Sequence, residues 1–213
     1  MKNKIIIDIY SDNICPWCYI GIKKLQAAIS EFPLIEFELI WRPFQLNPEM
    51  PPEGMDRKKY LELKFNGKDN AQKTYELIAK TGLKNNIHFQ FEKITITPNS
   101  FASHKLLALA HKSNKQTEIV ETLFYDYFIE GVDIGNLDEL IRIAKLHNIY
   151  DKNTLEYLQS NEDTTSLLAE EAHARELGVK GVPCFIIDKE IVLFGAQEKK
   201  NFLNIFKTIS NDN

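Results

Sequence analysis

The segment Cys15-Pro16-Trp17-Cys18 constrains this chain more than any other feature, because of what stands on either side of it. From Lys4 to Tyr10 the residues are β-branched and aromatic around one interior charge, Asp8, which predicts a buried strand in a parallel or mixed sheet. After the segment, Ile22, Leu25, Gln26, Ala28 and Ile29 keep helical spacing to about Ser30. Pro16 fits the first turn of that helix, where a missing N–H is not needed. Ser11, Asp12 and Asn13 supply turn and cap chemistry in between. The cysteine pair therefore stands where a buried strand hands over to a helix.

Cysteines at i and i+3 in a first helical turn lie on one face, within reach of disulfide geometry. Cys15 is expected at the helix N-terminus, where unpaired N–H groups and the helix dipole stabilise a thiolate and lower its pKa below the free value of about 8.5. It is the expected nucleophile. Cys18, further inside the turn and less exposed, is the expected resolving thiol. Pro16 and Trp17 carry no ionisable group, so the helix N–H groups must supply most of the stabilisation.

The rest of the chain narrows the chemistry. There are three cysteines in 213 residues, an odd number that argues against a structural disulfide framework and for redox or metal chemistry. Zinc is not expected: no second Cys-x-x-Cys or His-x-x-x-His exists, and Cys184 alone leaves the tetrahedron incomplete. The formal net charge of -4 gives no electrostatic footprint for nucleic acid or an anionic membrane. Asp8 breaks the first apolar run, and no later stretch approaches the roughly 20 apolar residues of a membrane span. The expected setting is soluble and cytoplasmic. The oligomeric state is left open.

Ile35 to Trp41 alternates apolar residues with Glu36 and Glu38 and reads as a second strand, parallel to the first through a right-handed crossover. The proline-rich stretch Phe44 to Gly54 reads as a loop. Helical periodicity then covers Tyr60 to Phe65, Gln72 to Thr81, Phe101 to His111, Thr117 to Glu130, Leu137 to Leu146 with Asn136 as its cap, and Thr154 to Gln159. A helix from about Asp163 to Leu177, closed by Gly178, leads to a hairpin of Cys184 to Ile187 and Ile191 to Phe194, and a final amphipathic helix follows. The predicted class is α/β, a mixed sheet with flanking helices formed by residues 1–50 and 163–213, with a large all-helical insertion at 51–162.

With that setting in place, Ser11-Asp12-Asn13-Ile14-Cys15-Pro16-Trp17-Cys18-Tyr19-Ile20-Gly21 resembles the active-site segment of the DsbA-like thioredoxin superfamily, in particular its FrnE-like branch. Trp41 to Pro48, Asn99 to Leu106 and Gly178 to Pro183 resemble segments of that branch in the same order. The resemblance implies a thioredoxin-like fold, disulfide exchange with protein or small thiols, and a cis peptide between Val182 and Pro183 beside the redox pair. A cis X-Pro bond there would present backbone groups to an extended substrate. Pro16, Trp17, Val182 and Pro183 are the expected substrate-contacting residues. His104, on a helix face with Phe101, Ala108 and His111, is a candidate lining residue of a substrate cleft. Cys184 reads as a small core residue.

No cofactor is expected, and glutathione is the one co-substrate the resemblance brings in. Relatives with the same inserted architecture, the kappa-class glutathione transferases and 2-hydroxychromene-2-carboxylate isomerases, bind glutathione and generally carry serine where this chain has Cys15. That difference favours redox work. A peptide-binding module with incidental cysteines is the non-enzymatic alternative.

Overall fold

Strand β1 (Lys4–Ser11) is the spine of the molecule, and its composition explains why. Ile5, Ile7 and Ile9 are fully buried, Asp8 and Tyr10 nearly so and Ile6 half-buried, as a strand covered on both faces over most of its length requires. The structure is a computed structural model that describes residues 4–211. Helix α1 (Pro16–Ile29) crosses over to β2 (Glu36–Pro43), which pairs with β1 in parallel from Lys4 opposite Glu36 to Ser11 opposite Pro43. On the other side β1 pairs antiparallel with β5 (Cys184–Ile187), which turns back into β6 (Ile191–Phe194). The sheet order is β2-β1-β5-β6.

The hairpin turn forms because Asp188 and Lys189 both take left-handed backbone angles, the geometry that matches strand twist. Asp188 also accepts from the Ile6 N–H through its carboxylate and donates its own N–H to the Ile6 carbonyl, which pins the hairpin to β1. That register sets Tyr10 opposite Cys184. The chain leaving β1 toward Cys15 and the chain entering β5 from Pro183 therefore meet at one end of the sheet.

Between β2 and β5 lie α2 (Arg57–Phe65), α3 (Lys68–Leu83), α4 (Phe101–His111), α5 (Gln116–Tyr125), α6 (Leu137–Leu146), α7 (Thr154–Gln159) and α8 (Thr164–Glu176), and α9 (Lys199–Asn211) closes the chain. Two details differ from the sequence expectation. A two-residue ladder, β3 (Met55–Asp56) against β4 (Ile96–Thr97), interrupts the helical insertion. The helix expected over 117–130 keeps α geometry only to Tyr125 and widens into a π-helical turn over Asp126–Glu130, which buries Tyr127 and Phe128 side by side before Gly131 ends it in a left-handed conformation. Neither a two-residue pairing nor one extra residue per turn leaves a periodic trace in sequence.

The insertion shares its core with the sheet. Tyr19 of α1 stacks on Phe124 of α5 at 5.1 Å between centroids, and one apolar cluster runs from Ile7 and Ile9 through Leu123 and Phe124 to Ile143. The buried Gln116 side chain accepts from the Trp41 N–H and donates to the carbonyls of Trp41 and Leu107, which joins β2 to α4. Among the described residues, no helix is long and apolar enough to cross a membrane.

Candidate active site

Cys15 is the N-cap residue of α1, extended in backbone and followed at once by Pro16. Its N–H donates to the Asp12 carbonyl at 3.0 Å, and its own carbonyl accepts from Cys18 N and Tyr19 N at 3.0 and 3.3 Å, so the tight turn hands directly into the helix. Ser11, Asp12 and Asn13 do not cap this helix, contrary to expectation. The Asp12 carboxylate instead accepts from Ile14 N at 3.3 Å and from Leu46 N at 2.7 Å, which ties the loop after β2 to the loop carrying Cys15. Asn13 donates to Ser103 on α4.

Cys15, Cys18 and Cys184 are free thiols. The Cys15 thiol points at the Val182 carbonyl, 3.7 Å from sulfur to oxygen, and the Val182–Pro183 peptide is cis. Helix α1 approaches Pro183 at Gly21, the side at which a β-carbon would not fit. Burial pushes the Cys18 thiol well above its usual range, and a hydrogen bond to Cys15 and that residue's charge push it further, against hydrogen bonds from Ser11 and the Asp12 N–H. Cys18 is thus a thiol that keeps its proton. The two sulfurs do not differ in exposure as the sequence reading expects: Cys15 is 3 % and Cys18 2 % exposed, because the Val182 segment closes over the helix start.

Pro16 is buried, while Trp17 and Val182 are half-buried beside the thiol. His104 does not line the thiol cleft. It is buried behind the active-site loop with Nε2 lacking a hydrogen-bond partner and standing 3.8 Å from Asp12 Oδ1. The 140 Å³ cavity it borders contains none of Cys15, Cys18 or Pro183 in its wall. Burial pulls the imidazole down to about 4, partly offset by Glu171. Burial likewise pushes the Asp12 carboxyl up to about 6 against the hydrogen bonds it accepts. At neutral pH the pair is a carboxylate facing a neutral imidazole. Cys184, beside Pro183 in sequence, belongs to a small core cluster with Tyr10, Phe44, Ala174 and Val179, and burial alone pushes its thiol up to about 11.

Three residues of this neighbourhood escape the sequence reading. Asp12 passes for a turn residue. Arg57 and Tyr75, on α2 and α3, hydrogen-bond to each other at 2.6 Å. Burial pushes the Tyr75 phenol up, Arg57 pulls it down by charge and by hydrogen bond, and the Cys15 sulfur pushes it up again. Among the described residues no three of His, Cys, Asp and Glu gather as metal ligands would.

The strand, the cysteine pair at the helix start and the returning Val-Pro segment occur here in one scaffold, and the model of the DSBA-like thioredoxin domain matches residues 6–207. This chain belongs to the DSBA-like thioredoxin family. Its likeness to the FrnE-like branch is compatible with that membership. The protein YwbO of Bacillus subtilis (strain 168), described as uncharacterized, is 26% identical over 203 residues, 92% of each chain. The crystal structure of a probable DsbA oxidoreductase from Streptomyces coelicolor superposes with a TM-score of 0.88 at 21% identity, covering 98% of this chain and 91% of that one. The cytosolic disulfide reductase DsbM from Pseudomonas aeruginosa, in a structure with GSH, gives 0.69 at 13% identity over 96% and 98%. At such identities the DSBA-like fold is what these structures share with this chain.

Proposed function

We propose that this protein is a thiol-disulfide oxidoreductase in which Cys15 attacks and Cys18 resolves. The observation that carries the reading is the placement of Cys15 as the N-cap residue of α1, its sulfur 3.7 Å from the Val182 carbonyl that precedes the cis Pro183, with Cys18 three positions on in the first turn. Cys15 thereby stands at the helix N-terminus for the attack, and Cys18, whose burial keeps its proton on, lies one turn inside it for the second step.

In the reducing direction the Cys15 thiolate attacks one sulfur of a substrate disulfide, forms a mixed disulfide and expels the other half as a thiolate. Cys18 then gives up its proton, attacks the Cys15 sulfur and closes the Cys15–Cys18 bond, which releases the second substrate thiolate. The substrate disulfide gains two electrons, the enzyme dithiol loses two, and the two thiol protons end on the released thiols. The Val182 carbonyl, the half-buried Trp17 and the buried Pro16 border the attacking sulfur, and Trp17 and the Val182 segment are the groups an incoming substrate meets first.

The likeness to a disulfide reductase seen with GSH supports glutathione as a small-thiol partner and a cytoplasmic setting. A transferase or isomerase of the glutathione-binding type is disfavoured by cysteine at 15, where those relatives generally carry serine. Single replacements test the reading. Cys15→Ser should abolish disulfide turnover, and Cys18→Ser should accumulate a covalent mixed disulfide visible by intact-mass measurement. A Cys15→Ser protein that still turns over would refute it, as would client protection that persists with both thiols blocked and no turnover in the untreated protein.

A further inference from the structure

Among the described residues four carboxylates are buried, and three of them stand against an arginine: Asp8 at Arg42, Asp126 at Arg142 and Glu171 at Arg175. Asp12 is the fourth and the most buried, with no exposed surface. Its one ionisable neighbour at ion-pair distance, among the described residues, is His104. That imidazole stands off at 3.8 Å with Nε2 lacking a hydrogen-bond partner, and burial keeps it neutral at pH 7.

Neutral donors hold the Asp12 carboxylate instead. Oδ2 accepts from Leu46 N at 2.7 Å and Oδ1 from Ile14 N at 3.3 Å. Such donors orient a buried anion without cancelling its charge, and poor screening by water extends the reach of that charge. The other ionisable groups that face it do not cancel it either. Glu171 on α8 has the same sign and is bound by Arg175, and the Tyr60 phenol on α2 is held neutral by burial.

This charge is fixed beside the attacking residue. The Asp12 carbonyl accepts from Cys15 N at 3.0 Å, which closes a four-residue turn whose first and last Cα atoms lie within about 7 Å. Cys15 is only 3 % exposed, so little water stands between the two residues. The helix start and Asp12 therefore act on Cys15 in opposite senses: the unpaired N–H groups of α1 favour a thiolate, and the carboxylate opposes it. The Cys15–Cys18 disulfide carries no charge for Asp12 to act on. A like charge that disfavours only the reduced form shifts the couple toward its disulfide, the inverse of an oxidant whose reduced form is stabilised.

We infer that Asp12 acts through Cys15 as a positioning residue that sets the direction of exchange: its carboxylate, held without a cation three positions before Cys15, makes the dithiol a donor of electrons to substrate disulfides. The substrate disulfide takes two electrons and leaves as two thiols, while Cys15 and Cys18 lose two and close their bond. The inference rests on the thiol-exchange reading above and adds the direction of electron flow.

The test equilibrates the full-length protein at pH 7.5 with mixtures of glutathione and glutathione disulfide and counts the trapped dithiol and disulfide forms by intact mass. The equilibrium constant for oxidation of the protein should fall by about threefold or more in Asp12→Asn, which makes that variant the stronger oxidant. In a Cys18→Ser background, the pH midpoint of Cys15 alkylation by iodoacetamide should move down on Asp12→Asn. A merely structural Asp12 would leave that midpoint in place or raise it, because a frayed helix start holds a thiolate less well. An unmoved or raised midpoint would therefore overturn the inference, as would an equal or larger equilibrium constant. The wild type answers without any variant folding. Its Cys15 alkylation profile, read by peptide mass, should require a second ionisation near pH 6 from the Asp12 carboxyl, and a single-ionisation curve would overturn the inference. A reduced wild type that glutathione disulfide alone leaves unoxidised would instead defeat the thiol-exchange reading.

Discussion

Gly21 on α1 packs so closely on Pro183 that a β-carbon at position 21 would stand 2.9 Å from the proline Cγ and 3.3 Å from the Phe185 ring. Alanine is otherwise the better helix residue by about 1 kcal/mol, so on propensity alone Gly21→Ala would stabilise α1. The contact reverses the sign, because the proline ring is part of the backbone and cannot swing aside, and overpacking of this kind costs about 1–3 kcal/mol. Gly21→Ala should lower the melting temperature by a few degrees. An unchanged or raised melting temperature would show that the helix and the Val182–Pro183 segment separate freely.

Asp12 and His104 face each other in the core and titrate in opposite senses. The Asp12 carboxyl rises to about 6 in the fold from about 3.9 unfolded, so it contributes stability present below pH 3.9 and lost as pH rises through 6. His104 falls to about 4 from about 6.5, so it contributes stability present above pH 6.5 and lost as pH falls through 4. Between about pH 4 and 6 the two slopes cancel, with Glu171 biasing both groups toward protonation. Asp12→Asn should uncover the histidine slope: stability falling by on the order of 1 kcal/mol per pH unit on acidification through this window. His104→Gln should give the opposite slope. Denaturant titrations from pH 4 to 7 decide it, and parallel profiles for both variants and the wild type would dismiss the pairing.

How legible these features were depends on the range of the interaction that makes them. Leu137–Leu146 with its Asn136 cap, the β1–α1–β2 unit and the Asp188–Lys189 hairpin are local and agree with the sequence reading. Each is set by periodicity and by one or two turn residues within a few positions. Asp12 misleads because an aspartate after a strand looks like a cap, whereas here it reaches Leu46, 34 positions away. Arg57 has no signal at all. Alone in a polar helix start it reads as a surface charge, and only the packing of α2 on α3 and on the π-helical turn buries it against Tyr75 and Tyr127. His104 is legible as unusual, but its helical face alone does not say that this face turns toward Asp12.

Gln116 holds the insertion to the sheet through three backbone hydrogen bonds, two to Trp41 and one to Leu107. Gln116→Leu keeps the volume but leaves buried backbone groups without partners, each at a penalty of about 1–3 kcal/mol. Because Trp41 and Gln116 are both buried, a loss of at least about 2 kcal/mol is expected in urea unfolding. A loss below about 0.5 kcal/mol would mean that these groups find water or other partners.

Cys184 directly follows Pro183 yet differs in kind from the cysteine pair. It has no exposed surface, and burial holds its thiol at about 11. At pH 8 about one part in a thousand of such a thiol is ionised, against roughly a quarter of an unperturbed one, and the thiolate is the reactive form. In a Cys15→Ser, Cys18→Ser background the folded protein should therefore be nearly silent to an aromatic disulfide reagent for many minutes and should release one equivalent of chromophore at once in denaturant. Burial and low ionisation both point the same way, so rapid labelling of the folded double variant would place Cys184 at a surface that opens, and would bring a third thiol within reach of the exchange chemistry.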